Sequence, residues 1–182
     1  MSSITEINSS ILATLRSGNN YAALALALTM PDICSYAEAG KSVNGRMYAA
    51  WFDKWVGQKY TRQIGPQRHS HTFLHGDDVY ALRCSFLHQG QADISMQRAQ
   101  KALSSFEFVV VPSDNFSIHC NQSDDRLQLQ LDIFCQDICT GVNAWSQAFE
   151  SEKSVHDRAH SLLSIQAFDP ANGIVIGRRA PT

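Results

Sequence analysis

Arg83 and His88 are the two residues of this chain best suited to act together chemically. They sit five positions apart within HGDDVYALRCSFLHQG, His75 to Gly90. A guanidinium can grip a phosphate or a carboxylate through a fork of N–H donors, and an imidazole can carry a proton near neutral pH. The stretch reads as one helix. Gly76, Asp77 and Asp78 supply start signals, with acidic groups where a helix N-terminus favours them, and Gly90 supplies a left-handed stop. On a helical wheel Val79, Tyr80, Leu82, Phe86 and Leu87 fill an apolar arc with Arg83 near its middle. A guanidinium on a core-facing stripe is costly unless it is paired. Arg83 is therefore expected to meet a carboxylate inside the fold, or to face a groove or a second subunit. His88 falls near the helix C-terminus, where the macrodipole favours a protonated ring.

Other residues could join this pair. Asp32 follows Pro31 in otherwise apolar surroundings. Capping a helix restarted after the proline is the simpler role for it, and pairing with Arg83 is the other. The polar stretch before the helix carries Arg68, His69, His71 and His75. Arg68, His69 and His71 could flank a phosphate held by Arg83 and His88. The spacing H-x-H-x3-H matches no trusted zinc pattern, so no metal is assigned. His156 and His160, one turn apart, could hold a metal, but an exposed polar face explains them more simply. Cys84 lies four residues before His88, so a thiolate–imidazolium pair is conceivable, yet a packed thiol fits its place better. Ser85 has no nucleophile elbow around it. Asp77 and Asp78 point about 100° apart on a helix and read as helix-start electrostatics.

The elements that must position these residues follow from periodicity. Ile4, Ile7, Ile11, Leu12 and Leu15 mark a first helix over 4–17. Tyr21 to Met30, YAALALALTM, is apolar on nearly every face, as in a helix surrounded by protein. Pro31 is expected to kink or restart it before it stops at Gly40. Met47, Ala50, Trp51, Trp55 and Val56 mark an aromatic helix over 46–56. The polar, breaker-rich stretch 57–72 reads as a surface loop. Gln91 to Leu103 is polar, with room for a short helix at its end. Then FEFVVV (106–111), FSIHC (116–120) and RLQLQL (126–131) read as an antiparallel β-meander. Leu131, Phe134, Ile138, Val142, Trp145 and Phe149 form a helical stripe over 132–150. A last short helix is expected within 155–165. Asn172-Gly173 before Ile174–Ile176 could turn into an extra strand over 174–177.

The 182 residues suit one domain: a helical core over about 4–90 and 132–165, with a small sheet over about 106–131. The expected class is mainly α (α+β), a helical bundle with a small antiparallel meander before the last long helix. The apolar fraction of 44% is that of a soluble globular protein, and the net charge of −2 gives no global attraction to nucleic acid or anionic membrane. Any RNA contact must rest on a local basic patch. The five cysteines, Cys34, Cys84, Cys120, Cys135 and Cys139, form no C-x-x-C pair and suit reduced, mostly buried thiols. With no secretory signal, and with an apolar run too short to span a bilayer, the expected location is cytoplasmic, without a membrane partner.

Within LRCSFLH, the Arg83-x4-His88 spacing resembles the Arg-x4-6-His motif of the HEPN superfamily of small α-helical domains. The match covers about one helix. Many members are metal-independent ribonucleases that act as dimers. The resemblance implies a homodimer whose arginines and histidines face each other across a cleft, RNA as substrate and no cofactor. His88 would move the proton of a ribose 2′-hydroxyl or of the leaving oxygen, and Arg83 would stabilise phosphate charge. Cys84 occupies the position after the arginine where active members often carry a polar residue, frequently Asn. Two other roles remain open: a non-catalytic module that dimerises or holds a protein partner through the same helix, and a purely structural ion pair at Arg83.

Overall fold

The computed structural model describes residues 3–112, 115–163 and 165. It is mainly helical with two small sheets, an α+β arrangement. Six helices are described: α1 (Ser3–Arg16), α2 (Asn20–Ala39), α3 (Gly45–Trp55), α4 (Gly76–Gln89), α5 (Leu131–Ala148) and α6 (Lys153–His160). Helix α2 is the axis of the bundle and touches α1, α3, α4, α5 and α6. Its Ala and Leu residues allow this, because small and unbranched side chains let neighbours close in from several sides. Ala23, Leu24, Ala27, Leu28, Met30 and Cys34 are all buried.

Pro31 does not restart the helix: α2 runs uninterrupted through it and ends at Gly40 in the left-handed conformation (φ 65°). Pro31 is itself buried, as are Met30, Cys34 and Ser35 around it. Packing on both sides holds the helix together where local propensity would break it. Asp32 is therefore an interior helical residue and cannot cap a helix start.

Helix α3 starts at Asn44, whose side chain accepts the Met47 N–H at 3.0 Å. Its buried residues are Tyr48, Ala49, Trp51 and Phe52. The inward face is thus rotated from the expected stripe, and Ala50 is exposed. The Tyr48 hydroxyl donates to the Leu28 carbonyl at 2.9 Å, tying α3 to α2. Where α3 meets α4, Gly76 lies directly on the backbone of Ala49, and a Cβ there would collide with the Ala49 carbonyl. Gly76→Ala should therefore destabilise the protein by about 3 kcal/mol, the upper end of overpacking costs. The expected reading is a melting temperature lower by roughly 6–12 °C. An unchanged melting temperature would mean that α3 and α4 do not meet in this way.

The stretch expected as a surface loop is more ordered than its composition suggests. A 3-10 turn (Gly57–Tyr60) leads into an antiparallel hairpin, β1 (Thr61–Ile64) and β2 (His69–Thr72). Gly65 (φ 71°) and Arg68 (φ 52°) supply the left-handed conformations that close it. The second sheet is mixed and is not the expected meander. Strand β5 (Arg126–Gln130) is central, with β3 (Ser105–Val109) parallel on one side and β4 (Asn121–Ser123) antiparallel on the other. Residues 116–119 alternate but join no ladder, and Cys120 takes φ 57°, so the extended run stops there. Short-range alternation carries no information on which strand takes the central place. Burial does: Leu127 and Leu129 of β5 are completely buried. The expected strand over 174–177 lies outside the described residues.

Helix α5 follows β5 directly and presents Leu131, Phe134, Ile138, Val142 and Trp145 to the core, as its periodicity predicts. All five cysteines are unpaired thiols. Burial pushes the Cys139 thiol up to about 11 and the Cys135 thiol up to about 12, so both are neutral packing groups at pH 7.

Candidate functional site

Arg83 and His88 lie on α4, beside the middle and first half of α2. The inward face of α4 is formed by Asp78, Val79, Ala81, Leu82 and Ser85. The apolar arc expected around Arg83 is thus rotated. Tyr80, Phe86 and Leu87 are only half-buried, and Arg83 stands at the edge of the core. The cause is Asp78 and Ser85, two polar residues that turn inward because a backbone segment meets them there.

At that edge Arg83 meets Asp32 from α2. Its Nε lies 2.9 Å from Asp32 Oδ2, and each side chain remains about a quarter exposed (26% and 25%). On the other side Arg83 Nη1 is 3.4 Å from His88 Nε2. Carboxylate, guanidinium and imidazole therefore form a line from α2 to the last turn of α4. Gly90, at φ 67°, donates its N–H to the Phe86 carbonyl at 2.8 Å and ends the helix just beyond His88. The His88 ring is exposed and can reach an incoming group.

The electrostatics of the pair are unequal. Burial lifts the Asp32 carboxyl above its ordinary value of 3.8, and Arg83 offsets only part of that. Burial also weakens the Arg83 charge, but Asp32 and Cys84 outweigh it, and the guanidinium stands above its ordinary value. Arg83 is therefore a permanent cation, whereas Asp32 is the member that titrates. A carboxyl with a raised folded value contributes stability that is present below its unfolded value and lost as pH rises through the folded one. Comparing wild type with Asp32→Asn, we expect wild type to gain relative stability as the pH falls from neutral toward about 4. Urea midpoints for both proteins across that range would check this. A relative loss on acidification would mean that pairing with Arg83, and not burial, dominates. Arg83→Ala should cost about 1–3 kcal/mol, between the values for exposed and fully buried pairs.

The remaining expected site residues lie elsewhere. Arg68, His69 and His71 belong to the β1–β2 hairpin, which joins the N-terminal end of α4 through Phe73 and Leu74. His69 Nε2 contacts Gln67 at 2.7 Å, and His71 Nε2 contacts Gln122 of β4 at 3.0 Å. The hairpin enters α4 at its N-terminal end, roughly 12 Å along the helix axis from Arg83 and roughly 20 Å from His88. Cys84 is half-buried next to Arg83 and near Tyr80, where it acts on the charge of both without forming a nucleophilic pair with His88. The His156 and His160 rings lie 4.5 Å apart on α6. Among the described residues no three His, Cys, Asp or Glu side chains gather as a metal site, and no helix is long and apolar enough to cross a membrane.

Two residues that position the site have roles other than those read from the sequence, where Asp78 reads as helix-start electrostatics and Ser85 is weighed only as a nucleophile. Asp78 is completely buried, and its Oδ1 accepts N–H groups from Lys101 (2.7 Å), Ala102 (3.0 Å) and Leu103 (3.3 Å). Ser85 donates to the Asp93 carbonyl at 2.7 Å. Together they lash residues 93–103 along α4, and the end of this stretch, which had room for a short helix, is not helical. The available signal was the spacing: Asp78, Leu82 and Ser85 share a helical face, so two of its members need buried partners. Asp53 is the third support, accepting the Gly76 N–H at 2.8 Å and capping α4 from α3.

Comparison with known proteins gives this chain no relative: no family model, no curated protein and no solved structure matches it.

Proposed function

We propose that this chain is a HEPN-like helical domain acting as a metal-independent endoribonuclease through Arg83 and His88, at the cleft of a homodimer. The observation that carries this reading is the tether on Arg83. Asp32 holds the guanidinium by Nε, which orients Nη1 toward the exposed His88 ring. A cation fixed in this way beside an exposed imidazole suits a phosphodiester, with the N–H fork on the non-bridging oxygens and the ring within reach of a bridging one.

In the proposed reaction the ribose 2′-oxygen attacks the adjacent phosphorus and the bond to the 5′-oxygen breaks. A histidine takes the 2′-hydroxyl proton and a histidine returns a proton to the leaving oxygen. A dimer cleft supplies two such rings. The products are a 2′,3′-cyclic phosphate and a 5′-hydroxyl. The nucleophile is internal to the substrate, so proximity is built in. The experiment is incubation of the purified protein with single-stranded RNA in a chelator, with analysis of the product ends. Cyclic phosphate ends support the reading, and activity lost with the chelator contradicts it.

A non-catalytic dimerisation or partner-binding module is the second reading. It is favoured by the half-exposed apolar residues Phe86 and Leu87, which follow Arg83 on α4. A dimer joined through α2 and α4 with no cleavage of RNA would select it.

A further inference from the structure

Tyr21 is an unusual residue for the first turn of a central helix. It is 79% exposed, whereas the helix that follows is largely buried. Its ring lies parallel and offset to that of Phe86, with centroids 6.5 Å apart and an interplanar angle of 12°. Phe86 packs partly against the core, so the neighbour of this otherwise open ring is anchored. Phe86 also stands three residues after Arg83 on α4, the spacing at which helix side chains are surface neighbours. Through Phe86 an open aromatic ring in the first turn of α2 is thus joined to the helix that carries the oriented guanidinium and the imidazole, while Asp32 holds that guanidinium further along α2.

We propose that Tyr21, backed by Phe86, is a stacking platform for one nucleobase of a single-stranded RNA whose phosphate lies on Arg83. This rests on the ribonuclease reading of the Arg83–His88 pair and adds a residue that positions the strand. A base is the occupant that fits both halves of the surface. Its π-face matches the flat ring, and its attached phosphate matches the cation beside it. Stacking on an exposed ring discriminates little between bases, so the platform gives register along the strand without strong sequence preference. It also serves a chain with net charge −2, which has no global attraction for RNA and must hold it locally.

The test uses the full chain and a fluorescent, 2′-O-methylated RNA octamer, which lacks the internal nucleophile and is not consumed. Anisotropy gives the affinity of wild type, Tyr21→Ala and Tyr21→Trp, and light scattering gives the mass of each. The expected result is binding about 5- to 150-fold weaker for Tyr21→Ala, and equal or tighter for Tyr21→Trp, with mass unchanged. Equal binding by wild type and Tyr21→Ala overturns the platform and leaves the ribonuclease reading to its own cleavage assay. A mass halved by Tyr21→Ala also overturns it, because the ring then belongs to a contact between two copies. If wild type fails to bind the octamer, both proposals fall. If wild type binds and Tyr21→Ala weakens binding, but unmodified RNA is never cut, the platform stands and the catalytic reading falls.

Discussion

His88→Ala is expected to lower the rate of RNA cleavage by about 10²–10⁴-fold, the usual contribution of a general acid or base. Stability should barely change. The His88 ring is exposed, and its recorded contact is the 3.4 Å approach to Arg83. A loss of rate with an unchanged unfolding midpoint separates a chemical role from a structural one. Arg83→Ala cannot make that separation alone, because removing the guanidinium also leaves Asp32 without the ion pair that joins α2 to α4. Equal cleavage by wild type and His88→Ala would remove His88 from the mechanism.

Asp78→Ala should be the most damaging single change to the fold near the site, costing about 3–5 kcal/mol. Three backbone N–H groups, those of Lys101, Ala102 and Leu103, lose the oxygen they share, and the position vacated is completely buried. The melting temperature should fall by roughly 6–20 °C. Asp78→Asn is the informative companion, since it keeps Oδ1 and alters only Oδ2, the atom with no hydrogen-bond partner. It should cost much less than the alanine variant. Limited proteolysis within 93–103 should accelerate in Asp78→Ala, because this carboxylate anchors the end of that segment. If both variants melt with wild type, Asp78 does not hold the segment.

Much of this arrangement could be read from residue patterns, and the failures share a cause. Helices α1, α2 and α5 were legible because their apolar pattern is set by burial along one element, which sequence records directly, whereas α4 was legible from its acidic start and its Gly90 stop but not from its apolar arc. The pairing of Asp32 with Arg83 was legible as one of two alternatives: an arginine near an apolar face needs a carboxylate, and few were placed to reach it. The structure chose between them because packing carries α2 through Pro31. What could not be read depends on neighbours distant in sequence. The parallel pairing of β3 with β5 is set by a crossover that alternation does not encode. The inward turn of Asp78 and Ser85 depends on where residues 93–103 return. Arg68, His69 and His71 looked close to the site because they precede α4, but a helix carries its two ends apart.

The account turns on whether the Arg83–His88 pair is a catalytic site. The most direct measurement is single-turnover cleavage of one defined single-stranded RNA in excess chelator, comparing wild type with His88→Ala and identifying the new ends. The expected result is 2′,3′-cyclic phosphate and 5′-hydroxyl ends from wild type, with the rate down by about two to four orders of magnitude in the variant. Intact RNA with both proteins, or 3′-hydroxyl and 5′-phosphate ends that appear equally with both, would contradict it.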